Sequence, residues 1–298
     1  MMWSEEEIEA RFNALNLPAD RQWENLKLSN DFLFGKVMQD IEICSEMLRR
    51  ILPAANIGKI RSVQIQAPIR SGVDSRGVRF DTLIDADEKK VLDVEMQTSD
   101  SIHLMKRTRA YHLSMGGNIL EKGVSYIDLP DVFVIFICTF DPFKLGRHVY
   151  TFRKFCCENK KLELNDGETT MFLNAYGKDR VGKKMKAFLE FVAGRESDDP
   201  FIHEIKKRMD FVKLDRKWRQ EYMVASIRET DLLYAGRTEG FEVGLKKGIA
   251  EGIAKGITEG DYLRQLKVAR NMIAQGFDEN TIRTVSELPV DEIRRLNT

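Results

Sequence analysis

Residues Gly77 to Asp100 read GVRFDTLIDADEKKVLDVEMQTSD, two strand-like runs on either side of the polar turn Asp87-Glu88-Lys89-Lys90. Alternation gives the first run a face with Asp81, Leu83 and Asp85. It gives the second a face with Asp93, Glu95 and Gln97, with Val94 and Met96 pointing the other way. The turn is polar enough to reverse the chain, and pairing of the runs then brings carboxylates from both to one end of a sheet. Carboxylates gathered in that way repel one another until a cation or protons neutralise them. A hard divalent ion such as Mg²⁺ or Mn²⁺ answers that need, taking one or two carboxylates and keeping positions for water and phosphate. The same spacing also suits an antiparallel edge hairpin whose acids face solvent. Periodicity alone leaves both readings open.

Working outward, Asn30 can cap a helix from Asp31 to about Ile51, with Pro53 marking its end. Asp31, in the first turn, suits either a helix-dipole role or a functional acid. Ile60 to Ala67 alternates like a strand, and Ser71 to Gly77 forms a turn-rich loop whose Arg76, or Arg79 just after it, is a candidate for a phosphate. After Gln97, Thr98-Ser99-Asp100-Ser101 can cap a helix from Ile102 to about Glu121 that carries Arg107 and Tyr111. Asp131 to Thr139 is continuously apolar and β-branched, the pattern of a strand buried on both faces. Val149 to Cys156 and Lys161 to Leu164 read as antiparallel strands, followed by the turn Asn165 to Glu168 and a strand from Thr170 to Asn174.

Asp81 followed after fourteen residues by Glu95-Met96-Gln97 resembles the D…(D/E)-x-K signature of the PD-(D/E)XK nucleases, with Gln97 in the lysine position. The ordered set Asn30 to Phe34, Lys106 to Tyr111, Tyr126 to Pro130, Val132 to Phe143, Tyr150 to Phe152 and Phe172 to Ala175 narrows the likeness. It resembles the PD-(D/E)XK family of transposase-like, recombination-promoting nucleases, over roughly residues 25 to 260. The resemblance implies an α/β, restriction-endonuclease-like αβββαβ core with an added hairpin and a helical C-terminal region. It implies Mg²⁺, with Mn²⁺ able to substitute, held by Asp81 and Glu95. Gln97 would orient the attacking water or a phosphate oxygen, and Asp31 would assist. Arg107 and Tyr111 would lie near the site, holding a phosphate or orienting an acid. The implied reaction is phosphodiester hydrolysis in DNA during recombination or mobile-element processing. A catalytically weakened DNA- or partner-binding protein on the same scaffold is the alternative, and a structural oligomerisation protein a third.

Lys plus Arg and Asp plus Glu both number 47, so any nucleic-acid surface must be local. Lys206, Lys207, Arg208, Lys213, Arg216, Lys217 and Arg219 form one basic cluster, with Trp218 and Tyr222 close behind. Such a cluster suits either a nucleic-acid backbone or a solvated helix. Cys44, Cys138, Cys156 and Cys157 contain no C-x-x-C pair, which favours free thiols in a reducing compartment. MMWSEEEIEARF lacks the basic start and apolar core of a secretory signal, and Val132 to Cys138 is too short to span a bilayer. These features point to a cytoplasmic protein that does not enter the membrane.

Gly236, Gly240, Gly244, Gly248, Gly252, Gly256 and Gly260 recur every fourth residue, most of them followed by Phe241, Leu245, Ile249, Ile253 or Ile257. On a helix these make two adjacent, slowly spiralling stripes. Each interior glycine costs about 1 kcal/mol relative to alanine, so packing must offset the loss. Homo-oligomerisation or docking through residues 236–260 is the expected use. The expected domains are an N-terminal extension (1–24), a nuclease-like domain (25–235), the ladder helix (236–260) and a small helical module (261–298).

Overall fold

The computed structural model describes residues 3–18, 21–69, 78–86, 89–100, 103–119 and 125–296, with the backbone alone at 66–69, 78–80 and 117–119. Arg76, the turn residues Asp87 and Glu88, the cap residue Ser101 and the Arg79 side chain lie outside that description. The chain divides into two compact units, Met1–Ala225 and Ser226–Thr298.

The first unit is built on one sheet of β1 (Ile60–Ile69), β2 (Val78–Ala86), β3 (Lys90–Gln97), β4 (Asp131–Cys138), β5 (Val149–Phe152) and β6 (Glu168–Asn174), in the order β1-β2-β3-β4-β6-β5. β1, β2 and β3 form an antiparallel meander. β3 then pairs in parallel with β4, and β4 in parallel with β6, while β5 returns antiparallel on the edge. β3 and β4 are the central strands, which is why both read as long apolar runs. The second hairpin is shorter than its sequence suggests. Lys161 to Leu164 forms no strand, and the only trace of pairing among the described residues there is a single bridge between Phe155 and Glu163.

Helix α4 (Leu104–Ile119) covers one face: Leu104, Tyr111 and Met115 pack with Val132, Val134, Phe136, Cys138 and Phe172 in one apolar cluster. Leu83 and Val91 border that cluster, so the face of β3 bearing Asp93, Glu95 and Gln97 is the one α4 covers. On the other face, Phe133 and Met171 line a cavity with Ile51 and Met185 from the helices α3 (Ile41–Ile51) and α5 (Lys183–Val192).

The single helix expected from Asp31 to Ile51 is two. α2 (Asp31–Met38) stops, and Asp40 starts α3 by accepting hydrogen bonds from the Glu42 and Ile43 N–H groups. A residue whose side chain caps the following turn breaks a helix that apolar periodicity alone runs straight through. The short α2 is firmly held. A Cβ on Gly35 would lie 3.3 Å from Ile65 and 3.7 Å from the Asp81 carbonyl, so glycine lets α2 settle close on β1 and β2. Buried Lys36 pairs with Glu221 at 2.6 Å, and the Phe32 ring meets Trp23 and Tyr222 in an aromatic cluster. Arg50 grips Asp199, the N-cap of α6 (Pro200–Leu214), with two bonds of 2.9 Å.

Helix α7 (Arg216–Ala274) begins in the first unit and ends in the second, and the whole glycine ladder lies within it. It closes as the sequence suggests, at Gly276 with φ +80°, where the Phe277 N–H returns to the Met272 carbonyl. In the second unit α8 (Glu279–Ser286) and α9 (Val290–Leu296) fold back so that Ile282, Leu288 and Ile293 bury Ala269. Among the described residues no helix is long and apolar enough to cross a membrane.

Candidate active site

The β2–β3 ladder pairs Ala86 with Lys90, Asp85 with Val91, Ile84 with Leu92 and Leu83 with Asp93. Past that point side chains replace the ladder. The Asp81 N–H donates to Glu95 Oε1 at 2.9 Å, and the Met96 N–H donates to Asp81 Oδ2 at 3.3 Å. The two carboxylates of the sequence motif are thereby crossed between the strand ends, each held by the other strand. Asp85, on the same face of β2, pairs at the opposite end and takes no part.

Helix α4 delivers the balancing groups. Arg107 donates through Nη2 to Tyr111 Oη at 2.7 Å and to Glu95 Oε2 at 3.4 Å, and Tyr111 donates to the same Glu95 oxygen at 2.9 Å. Four residues separate Arg107 from Tyr111, so one helical face presents both. The Tyr111 ring is anchored edge-on to Phe136 at 5.8 Å. Gln97 is buried and fully engaged. Its Nε2 donates to the Ser99 carbonyl at 2.7 Å, and its Oε1 accepts from Arg107 Nη1 at 3.0 Å. The amide in the lysine position thus holds a guanidinium that reaches the acids from the neighbouring helix.

Asp93, which the sequence places on the Glu95 face without a catalytic or metal role, completes the cluster. It is 0% exposed, and among the described residues neither of its oxygens has a hydrogen-bond donor. The Glu95 carboxyl is within reach, and two carboxyls pair only by sharing a proton. Burial, then the charges of Glu95 and Asp81, hold Asp93 well above the usual carboxylate range. Burial, then Glu95 and Asp31, push the Asp81 carboxyl up to about 8. Burial also raises Glu95, against the opposing pull of the Asp81 N–H, the Tyr111 hydroxyl and Arg107. Asp31 sits exposed in the first turn of α2, close enough for its charge to act on Asp81.

The donor set fits a hard divalent cation. Three carboxyl groups face one guanidinium, leaving a deficit of positive charge, and the oxygens of Asp81 and Glu95 are hard donors of the kind a divalent cation accepts. Among the described residues no group of three or more His, Cys, Asp or Glu side chains is placed to hold a metal ion.

A mixed sheet with a meander, an α crossover and crossed acids where the meander opens defines a restriction-endonuclease-like nuclease fold. The chain belongs to the PD-(D/E)XK nuclease family transposases, whose family model matches residues 29–223. No curated protein and no solved structure matches it. The match covers the sheet, α2 and α4, and ends in the first turns of α7, before the glycine ladder.

Proposed function

We propose that the chain is a Mg²⁺-dependent DNA endonuclease, with Mn²⁺ able to substitute, that hydrolyses phosphodiester bonds in recombination or mobile-element processing in the cytoplasm. The observation that supports this most is the crossed pair Asp81 and Glu95, held at 2.9 and 3.3 Å where the β2–β3 ladder ends. These two carboxylates would hold the metal, which when bound supplies Lewis-acid stabilisation of phosphate charge and a more acidic water. Arg107 places a fixed positive charge beside the same oxygens, where negative charge develops on a phosphate under attack. Gln97 acts as a positioning residue for Arg107, a role that differs from orienting water, since both ends of its amide are engaged. Tyr111 orients Glu95, and Asp31, whose charge acts on Asp81, is an assisting acid. Self-association through the ladder of α7 is part of the same reading.

The competing reading, a catalytically weakened binding protein, draws on Gln97, because an amide carries no charge of its own. The two separate on supercoiled plasmid incubated with wild type and with Asp81→Ala in Mg²⁺, Mn²⁺ or chelator. Nicking by wild type alone, lost in chelator, is the expected outcome. Intact DNA binding without cleavage favours the binding protein, and equal nicking by the variant removes Asp81 from the chemistry.

A further inference from the structure

Two loops leave the C-terminal ends of the parallel strands β4 and β6, and the register Gln97 to Cys138 to Asn174 sets both beside the acidic site. The first starts against β3 itself, with the Thr139 N–H donating to the Gln97 carbonyl at 3.0 Å. Ligands of open α/β sheets collect at this carboxyl edge. The loops carry Lys144, Arg147, Lys178 and Arg180, and Lys183 opens α5 just beyond; all five are exposed. Among the described residues none of the five side chains has an acid within ion-pair distance.

The two acids in these loops are committed to the loop framework. Asp141 accepts from the Phe143, Lys144 and Gly146 N–H groups and from the Tyr150 hydroxyl. Asp179 accepts from the His148 N–H and pairs with His148 Nδ1, both at 2.7 Å. The loops are joined to each other: the Lys178 N–H donates to the Gly146 carbonyl at 2.7 Å, and a Cβ on Gly177 would lie 2.4 Å from the His148 ring. The result is a rigid, cation-rich rim. The first turn of α5 adds Lys183, with no acid in that turn and no side-chain cap at Gly182, an arrangement that favours an anion at that helix end, while Lys184 faces Glu46 at 3.9 Å.

The basic cluster that stands out in the sequence is differently placed. Lys206 pairs with Glu196, Lys207 with Glu204 at 2.8 Å and Arg219 with Glu9 at 3.1 Å. Lys213 donates to the Glu24 carbonyl at 2.8 Å, and Arg208 lies over the Phe211 ring at 4.9 Å. Three of its seven cations are thus answered by acids within the chain.

We propose that the rim of Lys144, Arg147, Lys178, Arg180 and Lys183 holds the phosphate backbone of duplex DNA beside the acidic site. The inference rests on the reading of the chain as a DNA-processing enzyme. Its test is binding of a labelled duplex in chelator between 50 and 200 mM salt, about the range over which phosphate contacts dominate affinity. Lys144→Gln/Arg147→Gln/Lys178→Gln/Arg180→Gln is compared with the equal charge change Lys206→Gln/Lys207→Gln/Arg216→Gln/Lys217→Gln. The rim variant should lower the slope of log K against log salt by about 3 to 4 and weaken binding at least ~10-fold, since each phosphate contact contributes about 0.9. The helix variant should stay within about twofold of wild type, as expected where no phosphate is contacted. Should the combined variant not fold, Lys144→Gln and Arg180→Gln singly should each lower the slope by about 0.9. Wild-type binding with an unchanged rim variant overturns this surface while leaving the enzyme reading intact. Absence of wild-type binding at the lowest salt overturns both.

Discussion

At the open end of β2 and β3 three carboxyl groups are drawn out of water. Along α7, by contrast, Phe241, Leu245, Ile249, Ile253 and Ile257 stand more than half in it, with Phe241 71% and Ile249 54% exposed. One region buries charge, the other exposes apolar surface, and neither serves the stability of a lone chain. The glycines beside the exposed stripe have open space where a side chain would go. The proposed reading answers the first imbalance with a small charged ligand and the second with a large apolar surface, so one sequence carries two unlike kinds of unfinished surface.

The sharpest way to break this comparison is to remove the cation that already answers the acids. Arg107→Ala should lower plasmid cleavage by about 10²- to 10³-fold, as loss of one charge-stabilising donor does. Gln97→Ala should cost less, and combining it with Arg107→Ala should add little, since the amide acts through the guanidinium. Additive losses in steady-state rates would instead give Gln97 its own contact with substrate.

A smaller effect should appear in stability. The folded pKa of Asp81, about 8, lies above the ordinary aspartate value of 3.8, so the folded chain binds more protons between those limits. The stability from this group is full below its unfolded pKa and is lost as pH rises through about 8. Asp81→Asn should therefore raise the unfolding midpoint at pH 8, by roughly 2–4 °C for each kcal/mol relieved, and change it little at pH 4. Mg²⁺ should raise the wild-type midpoint more at pH 8 than at pH 5, because it competes with protons for the same oxygens. A flat pH profile in calorimetry would remove the charge conflict from the site.

The smallest effect sharpens the other half. In a lone α7, Gly248→Ala should stabilise the helix by about 1 kcal/mol, because nothing lies within 4 Å of the added Cβ. If copies pack on the ladder, the same change should weaken assembly in sedimentation, and Ile249→Lys/Ile253→Lys should abolish it without changing cleavage per chain. Unaltered sedimentation in both variants would leave the stripe without a second copy.

How much of this was legible follows from how local each feature is. Asp81 and Glu95 stand on a hairpin whose alternation and turn lie within about twenty residues, so their meeting could be read directly. The Gln97–Arg107–Tyr111 chain could not, because it depends on where α4 docks. Asp93 shares its face with Glu95 at a spacing of two, a signal present in the sequence. Its burial, however, is completed by β4 and α4, which come later in the chain. Arg219 in the basic cluster of α6 and α7 looked free because Glu9 and Glu24, which it meets, are distant in sequence. The break at Asp40 was missed for the opposite reason, a single capping side chain outweighing a long apolar pattern.

The position of β3 between a neighbour from the adjacent hairpin and one from across a helical crossover has a kinetic consequence. β2 and β3 are joined by a turn and can pair within microseconds, whereas β4 and β6 must wait for chain closure over dozens of residues. During synthesis the two acids can therefore meet before Arg107, Tyr111 and β4 are in place. A chain emerging from the ribosome cannot assemble Glu95, Arg107 and the β4 edge together until residues beyond Cys138 are free to fold.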